Sequence, residues 1–206
     1  MKVLLVNGSP KEKGCTYTAL TEVAETLEKN GIETEIFHLG TEPVVSCRAC
    51  MACRKTGHCS YNDVVNVLID RIEEFDGFVF GTPVHYAGAS GMMTAVMDRL
   101  FYAASSKMAN KPATAVVSCR RGGASAAFDQ MNKYFTIANM PIVTSQYWNQ
   151  VHGNTPEEVK QDLEGLQTMR TLGANMAWLL KCIAAGKAAG VGLPTRETLI
   201  KTNFIQ

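Results

Sequence analysis

Short, unbroken apolar runs alternating with longer segments of helical period constrain this chain more than any other feature. "KVLLVN" (2–7) is a valine- and leucine-rich run ended by Gly8. A run of that kind reads as a strand covered on both faces, the habit of parallel sheets. Residues 18–31 then place Leu20, Val23, Ala24 and Leu27 at helical spacing, with Gly31 as the stop. "IETEIFHL" (32–39) alternates, as a more exposed strand does. Asp63 stands where it can cap a helix carrying Val64, Val65, Val67, Leu68 and Ile72 on its apolar side. "GFVFGT" (77–82) and "ATAVVS" (113–118) read as further buried strands, each followed by a helix, and "PIVTSQYW" (141–148) reads as the fifth. One long final helix is predicted over 155–186, with Pro156 in its first turn and Glu157 and Glu158 complementing its positive end.

Strands alternating with helices mean an α/β fold, and five such units favour a three-layer, doubly wound parallel sheet in the order 2-1-3-4-5. The 206 residues contain no linker, repeat or low-complexity tract, so a single domain is expected over 1–206. It includes a cysteine-rich loop at 46–60 and a C-terminal tail at 187–206. The tail contains Gly and Pro, ends apolar, and is expected to pack on another surface such as a neighbouring subunit's. A formal net charge of +1 argues against bulk electrostatic binding of nucleic acid or anionic lipid. The N-terminal apolar run is too short for a signal peptide, and no apolar stretch reaches membrane-spanning length. A cytoplasmic protein is therefore expected, a setting in which clustered cysteines more often bind metal or do redox chemistry than form disulfides.

In a doubly wound sheet, ligands sit beyond the carboxyl ends of the strands. The first strand runs into "NGSPKEKGCTYTAL", which offers Ser9, Lys11, Thr16, Thr18 and the N–H groups of a helix start. Hydroxyls, amides and a helix dipole suit a phosphate, although an ordinary hydroxyl-rich helix cap has the same composition. The loop has neither G-x-G-x-x-G nor G-x-x-x-x-G-K-[ST], so a monophosphate is the better guess. The third strand runs into "GTPVHYAGASG", where Gly88 and Gly91 permit close approach to a flat ring. The fourth runs into "SCRRGGASAAF", with Gly122, Gly123 and the charges of Arg120 and Arg121. Three such loops at one end of a sheet carry more weight than any one of them.

"SCRACMACRKTGHCS" packs Cys47, Cys50, Cys53 and Cys59 into C-x2-C-x2-C-x5-C. That run can wrap one iron–sulfur cubane. Zinc sites usually pair two separated knuckles, and a redox dithiol needs only two of the four thiols. An unliganded loop is the remaining alternative. Of the other cysteines, Cys15 sits at a helix start and Cys182, in an apolar helical segment, is expected in the core. His38 and His58 are read as solvated, His85 as a ring contact rather than the alternative of a proton donor, and His152 as either a neighbour of the pocket or a loop-stabilising residue.

"GSPKEKGCTYTAL", "GTPVHYAGASG" and "SCRRGGASAAFDQMNKY" together resemble the NADPH-dependent FMN reductase family, of flavodoxin-like fold, and the cysteine loop resembles that of its iron–sulfur flavoprotein branch. The resemblance runs through about the strand read at 141–148. It implies FMN as cofactor, with the phosphate held by Ser9, Lys11, Thr16 and Thr18; where the family pattern has an asparagine this chain has Cys15. It implies ring contacts from Pro83, Val84, His85 and Tyr86, and from Cys119, Arg120, Gly122 and Gly123 on the far side. It implies a [4Fe–4S] cluster on Cys47, Cys50, Cys53 and Cys59. The activity implied is electron transfer from NAD(P)H or a reduced protein donor to a quinone, flavin, nitro compound or protein acceptor, by a homodimer or homotetramer. The flavin carries the redox chemistry, so no catalytic acid or base is named. A one-electron carrier is the alternative, and a flavin- or phosphate-sensing module the non-enzymatic one. A receiver module would place carboxylates at the ends of the first and third strands, which here end in "NGS" and "GTP"; a cysteine phosphatase would show C-x5-R, which is absent after Cys15 and Cys119.

Overall fold

The structure, a computed structural model, describes residues 1–198, 200, 202 and 204. Strand β1 (Lys2–Asn7) leads to helix α1 (Cys15–Lys29) and edge strand β2 (Glu33–His38). A long connection with one short helical turn, α2 (Cys53–Thr56), reaches α3 (Val64–Arg71). Strand β3 (Gly77–His85) turns back on itself as the two-residue β4 (Gly88–Ala89), followed by α4 (Gly91–Met108), β5 (Ala113–Cys119) and α5 (Ala124–Ile137). The chain closes with β6 (Gln150–His152), α6 (Pro156–Val159) and α7 (Leu163–Ala188).

The hydrogen-bonded order is β2-β1-β3-β5-β6, all parallel, with β4 paired antiparallel to the end of β3. Leaving out the hairpin strand, this is the order 2-1-3-4-5 of a doubly wound fold. The two-residue side-chain period of β1 explains the layering. Leu4 and Val6 join the core under α3, α4 and α5, where Phe78, Phe80 and Phe135 pack together. Val3 and Leu5 join the core under α1 and α7. Those two helices approach closely because position 173 is glycine: a Cβ there would lie 2.8 Å from the Thr26 side chain and 3.0 Å from the Val23 carbonyl. Asp63 caps α3 by accepting from the Val65 N–H, as expected, although Val67 faces solvent rather than the core.

Three local expectations are corrected. The fifth strand lies at Gln150–His152, not at 141–148. Ile142 forms a single bridge to Ala113, after which the segment leaves the ladder. Asn149 substitutes for it, donating from Nδ2 to the Thr114 hydroxyl at 2.8 Å and to the Ala115 carbonyl at 3.1 Å. Pairing resumes only at Val117 and Gln150, so Tyr147 and Trp148 loop outward half-exposed. The final helix is broken between Val159 and Leu163 because the Asp162 carboxylate is held twice, by the His152 N–H at 2.7 Å and by the Gly165 N–H at 2.9 Å, and so starts a new helix. Cys182 is exposed, because the buried stripe of α7 runs through Met169, Leu172, Met176 and Leu180 and leaves position 182 off it. Of the tail, Lys187 and Ala188 finish α7, and Val191, Leu193, Ile200 and Phe204 are exposed; residues 199, 201, 203, 205 and 206 lie outside the described residues.

Candidate functional site

Three loops and the start of a fourth meet beyond the carboxyl ends of the strands. They enclose a groove of about 250 Å³ lined by Ser9, Pro10, Lys11, Cys15 and Thr16, by Pro83, Val84 and His85, by Ser118, Cys119 and Arg120, and by Gly153 and Asn154.

The first loop is braced from beneath. Asn7 accepts the Ser9 N–H at 3.1 Å through its Oδ1 and donates to the Glu12 carbonyl at 2.9 Å, while the His38 ring nitrogen lies 2.9 Å from the Ser9 carbonyl. His38 is therefore a strut of the loop and not a solvated side chain. The buried Ser9 hydroxyl accepts the Lys11 N–H at 3.1 Å, which leaves its own proton to donate. Thr16 is buried, with its hydroxyl 2.8 Å from that of Ser118. Helices α3, α4, α6 and α7 begin with a side-chain cap; α1, which follows Gly14, has none, and neither do α2 and α5. A helix start without a side-chain cap leaves backbone N–H groups and the positive end of the dipole for an anion.

Four of the expected residues lie outside the groove lining. Thr18 lies outside the groove lining, with its hydroxyl donating to the Gly14 carbonyl at 3.2 Å. Tyr86 sits at the tip of the β3–β4 hairpin with positive φ and a fully exposed side chain, so the hairpin that presents Pro83, Val84 and His85 turns it away. Gly122 and Gly123 lie outside the immediate lining; Gly123, at φ +90°, lets the β5–α5 loop close onto Val84 and Tyr86. Burial pushes the thiols of Cys15 and Cys119 upward, so both are neutral thiols at the groove wall. His152 turns instead toward Asp162, with Nδ1 3.4 Å from the carboxylate. Sequence reading missed Asn7, Ser118, Gly153 and Asn154. Ser118 ends a strand already read as pointing to the site, which was the one available signal; Gly153 and Asn154 depended on locating the fifth strand correctly.

The cysteine loop forms a second feature, and no residue lines both. Cys47, Cys50, Cys53 and Cys59 surround one hollow together with Arg48, Tyr61, Arg99 and Tyr102. Ala49 and Met51, at φ +52° and +56°, take left-handed conformations that curl the chain between successive cysteines. Cys50 has its thiol held down to about 7, by the Ser60 hydroxyl, the Ala52 N–H and Arg48. Four sulfurs with two guanidinium groups beside them fit a thiolate-ligated, negatively charged guest. The enclosed space is only about 20 Å³, room for about one water. Among the described residues no three His, Cys, Asp or Glu side chains meet as ligands of a single ion. The donor set thus fits a cluster in chemistry, and a guest of that size requires the loop to move outward.

A parallel sheet in this order with a ligand groove at its switch point defines a flavodoxin-like protein. Solved structures of that kind superpose on the chain: RosB with bound 8-demethyl-8-formylriboflavin-5'-phosphate, at TM-score 0.70 and 16% identity over 100% of this chain and 96% of that one, and a flavodoxin from the domain Archaea, at TM-score 0.60 and 15% identity over 88% and 99%. An iron–sulfur flavoprotein of Methanocaldococcus jannaschii is 31% identical over 193 residues, covering 89% of this chain and 99% of that protein. The sequence profile of the NADPH-dependent FMN reductase family matches residues 1–155, and the chain belongs to that family. It is accordingly a flavoprotein oxidoreductase. Among the described residues no helix is long and apolar enough to cross a membrane.

Proposed function

We propose that the groove binds FMN, with its phosphate at the start of α1 and its ring between the β3–β4 hairpin and the β5–α5 loop. The chain then passes electrons from NAD(P)H or a reduced protein donor to a quinone, a flavin, a nitro compound or a protein acceptor. The observation that carries this reading is the convergence of three loops on one groove that also contains a helix start without a side-chain cap. When bound, the flavin supplies the redox chemistry. The chain's residues bind and orient. Ser9 and the first N–H groups of α1 donate to the phosphate, and Lys11 and Arg120 bring positive charge to the groove. The side chains of Pro83 and Val84 shape the wall on which the ring lies, and the exposed mouth at His85 leaves room for a second substrate.

A second reading, a one-electron carrier, rests on the four cysteines around one hollow and on the relative named an iron–sulfur flavoprotein. In it Cys47, Cys50, Cys53 and Cys59 hold one [4Fe–4S] cluster. We also read the working form as a cytoplasmic homodimer or homotetramer; the exposed Trp178 on α7 supports an association surface.

Anaerobic purification with iron and sulfide, followed by absorption spectroscopy and flavin and iron analysis, tests both readings. One FMN per chain is expected with about four irons, the iron falling sharply in Cys50→Ser. A colourless protein that takes up no FMN overturns the first reading. FMN-loaded protein that takes up no iron overturns the second and leaves a plain FMN reductase.

A further inference from the structure

Arg99 lies in the middle of α4 with 1% of its surface exposed, and it is the largest fully buried side chain described. A buried guanidinium in a helix that otherwise packs Val96, Leu100 and Phe101 into the core carries a desolvation cost that an apolar residue would avoid. Its partners show what it holds. Nε donates to Cys59 Sγ at 3.1 Å. Nη1 donates to the Val45 carbonyl at 3.2 Å and to Asp63 Oδ2 at 2.7 Å. Nη2 donates to the Tyr61 carbonyl at 3.2 Å and to Asp63 Oδ1 at 2.7 Å. A guanidinium has five N–H donors, and here all are engaged with the two stems of the cysteine loop.

Cys59 is gripped a second time through its backbone. Asn66 accepts the Cys59 N–H at 2.8 Å and donates back to the Cys59 carbonyl at 3.1 Å. By contrast, Cys50 is exposed, and among the described residues no hydrogen bond reaches the sulfurs of Cys47 and Cys53. Asp63 ties the fork to the fold, because the same carboxylate caps α3. The helix that bears Arg99 also reaches the groove. Its cap, Ser90, donates from its hydroxyl to the Gly8 carbonyl at 3.0 Å in the phosphate loop. Nine residues of helix, about 14 Å along its axis, separate that cap from Arg99.

We propose that Arg99 is a positioning residue that fixes Cys59 as the preformed ligand of the cysteine hollow, onto which Cys47, Cys50 and Cys53 close when the guest enters. Its fork sets the place of the Cys59 sulfur relative to α4, and its N–H group remains a hydrogen-bond donor to that sulfur in the occupied site. This inference rests on the cluster reading for its guest, but not for the brace itself.

The test compares wild type, Arg99→Met and Arg99→Lys. In FMN-loaded, iron-free protein, hydrogen exchange at the Cys59 amide and its neighbours should speed about tenfold or more in Arg99→Met, and less in Arg99→Lys, which keeps the charge and loses the fork. After reconstitution, iron retention against a chelator should fall about tenfold in Arg99→Met. The reduction potential should shift negative there and recover in part in Arg99→Lys, because both charge and a donor to sulfur are lost in the first and only the fork in the second. Unchanged exchange in a folded variant overturns the brace, and unchanged retention and potential overturn the positioning role. If Arg99→Met does not fold, Arg99→Lys alone decides on the same readouts. If wild type takes up no iron, the cluster reading fails and the exchange experiment still judges Arg99.

Discussion

Replacing Ser9 with alanine should weaken FMN binding far more than replacing Thr18 with valine, although both hydroxyls belong to the same loop. The Ser9 hydroxyl is buried at the groove wall and receives the Lys11 N–H, so its own proton is free for a phosphate oxygen. A hydrogen bond to a charged group contributes about 1.5–3 kcal/mol, which is roughly 10- to 150-fold in Kd. Asn7 and His38 hold the Ser9 backbone in place, so little of that is lost to ordering the loop. The Thr18 hydroxyl instead donates to the Gly14 carbonyl one turn back, a local bond that leaves it without a role at the anion. Its removal should cost less than about 0.5 kcal/mol. Flavin fluorescence quenching on titration of FMN into flavin-free protein measures both constants, with thermal unfolding of each flavin-free variant to show that the fold is intact. Equal losses in the two variants, or an unchanged constant in Ser9→Ala, would refute the assignment of the anion site.

Three further outcomes are expected. Gly123→Ala should destabilise the protein by roughly 1–3 kcal/mol, since the residue sits at φ +90° and its Cβ would lie 2.9 Å from the Val84 side chain; Gly122→Ala, which meets nothing within 4 Å, is the control, and calorimetric Tm values compare them. Glu35 is held down to about 2 by the hydrogen bonds from Arg71, against its burial, with Lys2 adding to the pull. A depressed carboxylate stabilises the fold above its ordinary value of 4.5 and loses that contribution as pH falls toward 2. Glu35→Gln should therefore cost roughly 1–2 kcal/mol at neutral pH after allowance for solvent screening, and close to nothing near pH 2, as read by urea unfolding across that range. Phe80→Ala should cost about 3–5 kcal/mol, because Phe80 stacks on Phe135 at 5.6 Å and meets Phe101 at 5.9 Å within the core; denaturant midpoints at constant slope measure it.

The legibility of the fold followed the range of the forces involved. Runs such as "KVLLVN" and "ATAVVS" announce buried strands because a parallel strand is covered on both faces whatever its neighbours are. Asp63 announces a helix start because capping is decided within three residues. The loops of the groove were legible for a related reason: once strands and helices alternate, topology sends Ser9, Pro83 and Cys119 to one end of the sheet without any knowledge of side-chain packing.

What the sequence could not show was decided by partners distant along the chain. The segment 141–148 has the composition of a strand, yet Asn149, bonded to Thr114 and Ala115, displaces it from the ladder, and no local pattern reports a side chain standing in for a backbone. Thr18 and Tyr86 carry suitable groups at suitable places in their motifs, but helical back-bonding and a left-handed hairpin turn aim them elsewhere. Arg99 stands in the helix that follows the third strand, and nothing in its neighbouring residues marks it out. Only folding brings it to Cys59, Asp63 and the carbonyls of Val45 and Tyr61, residues at least 36 positions away, and five hydrogen bonds make it buried where its local sequence alone would have left it at the surface.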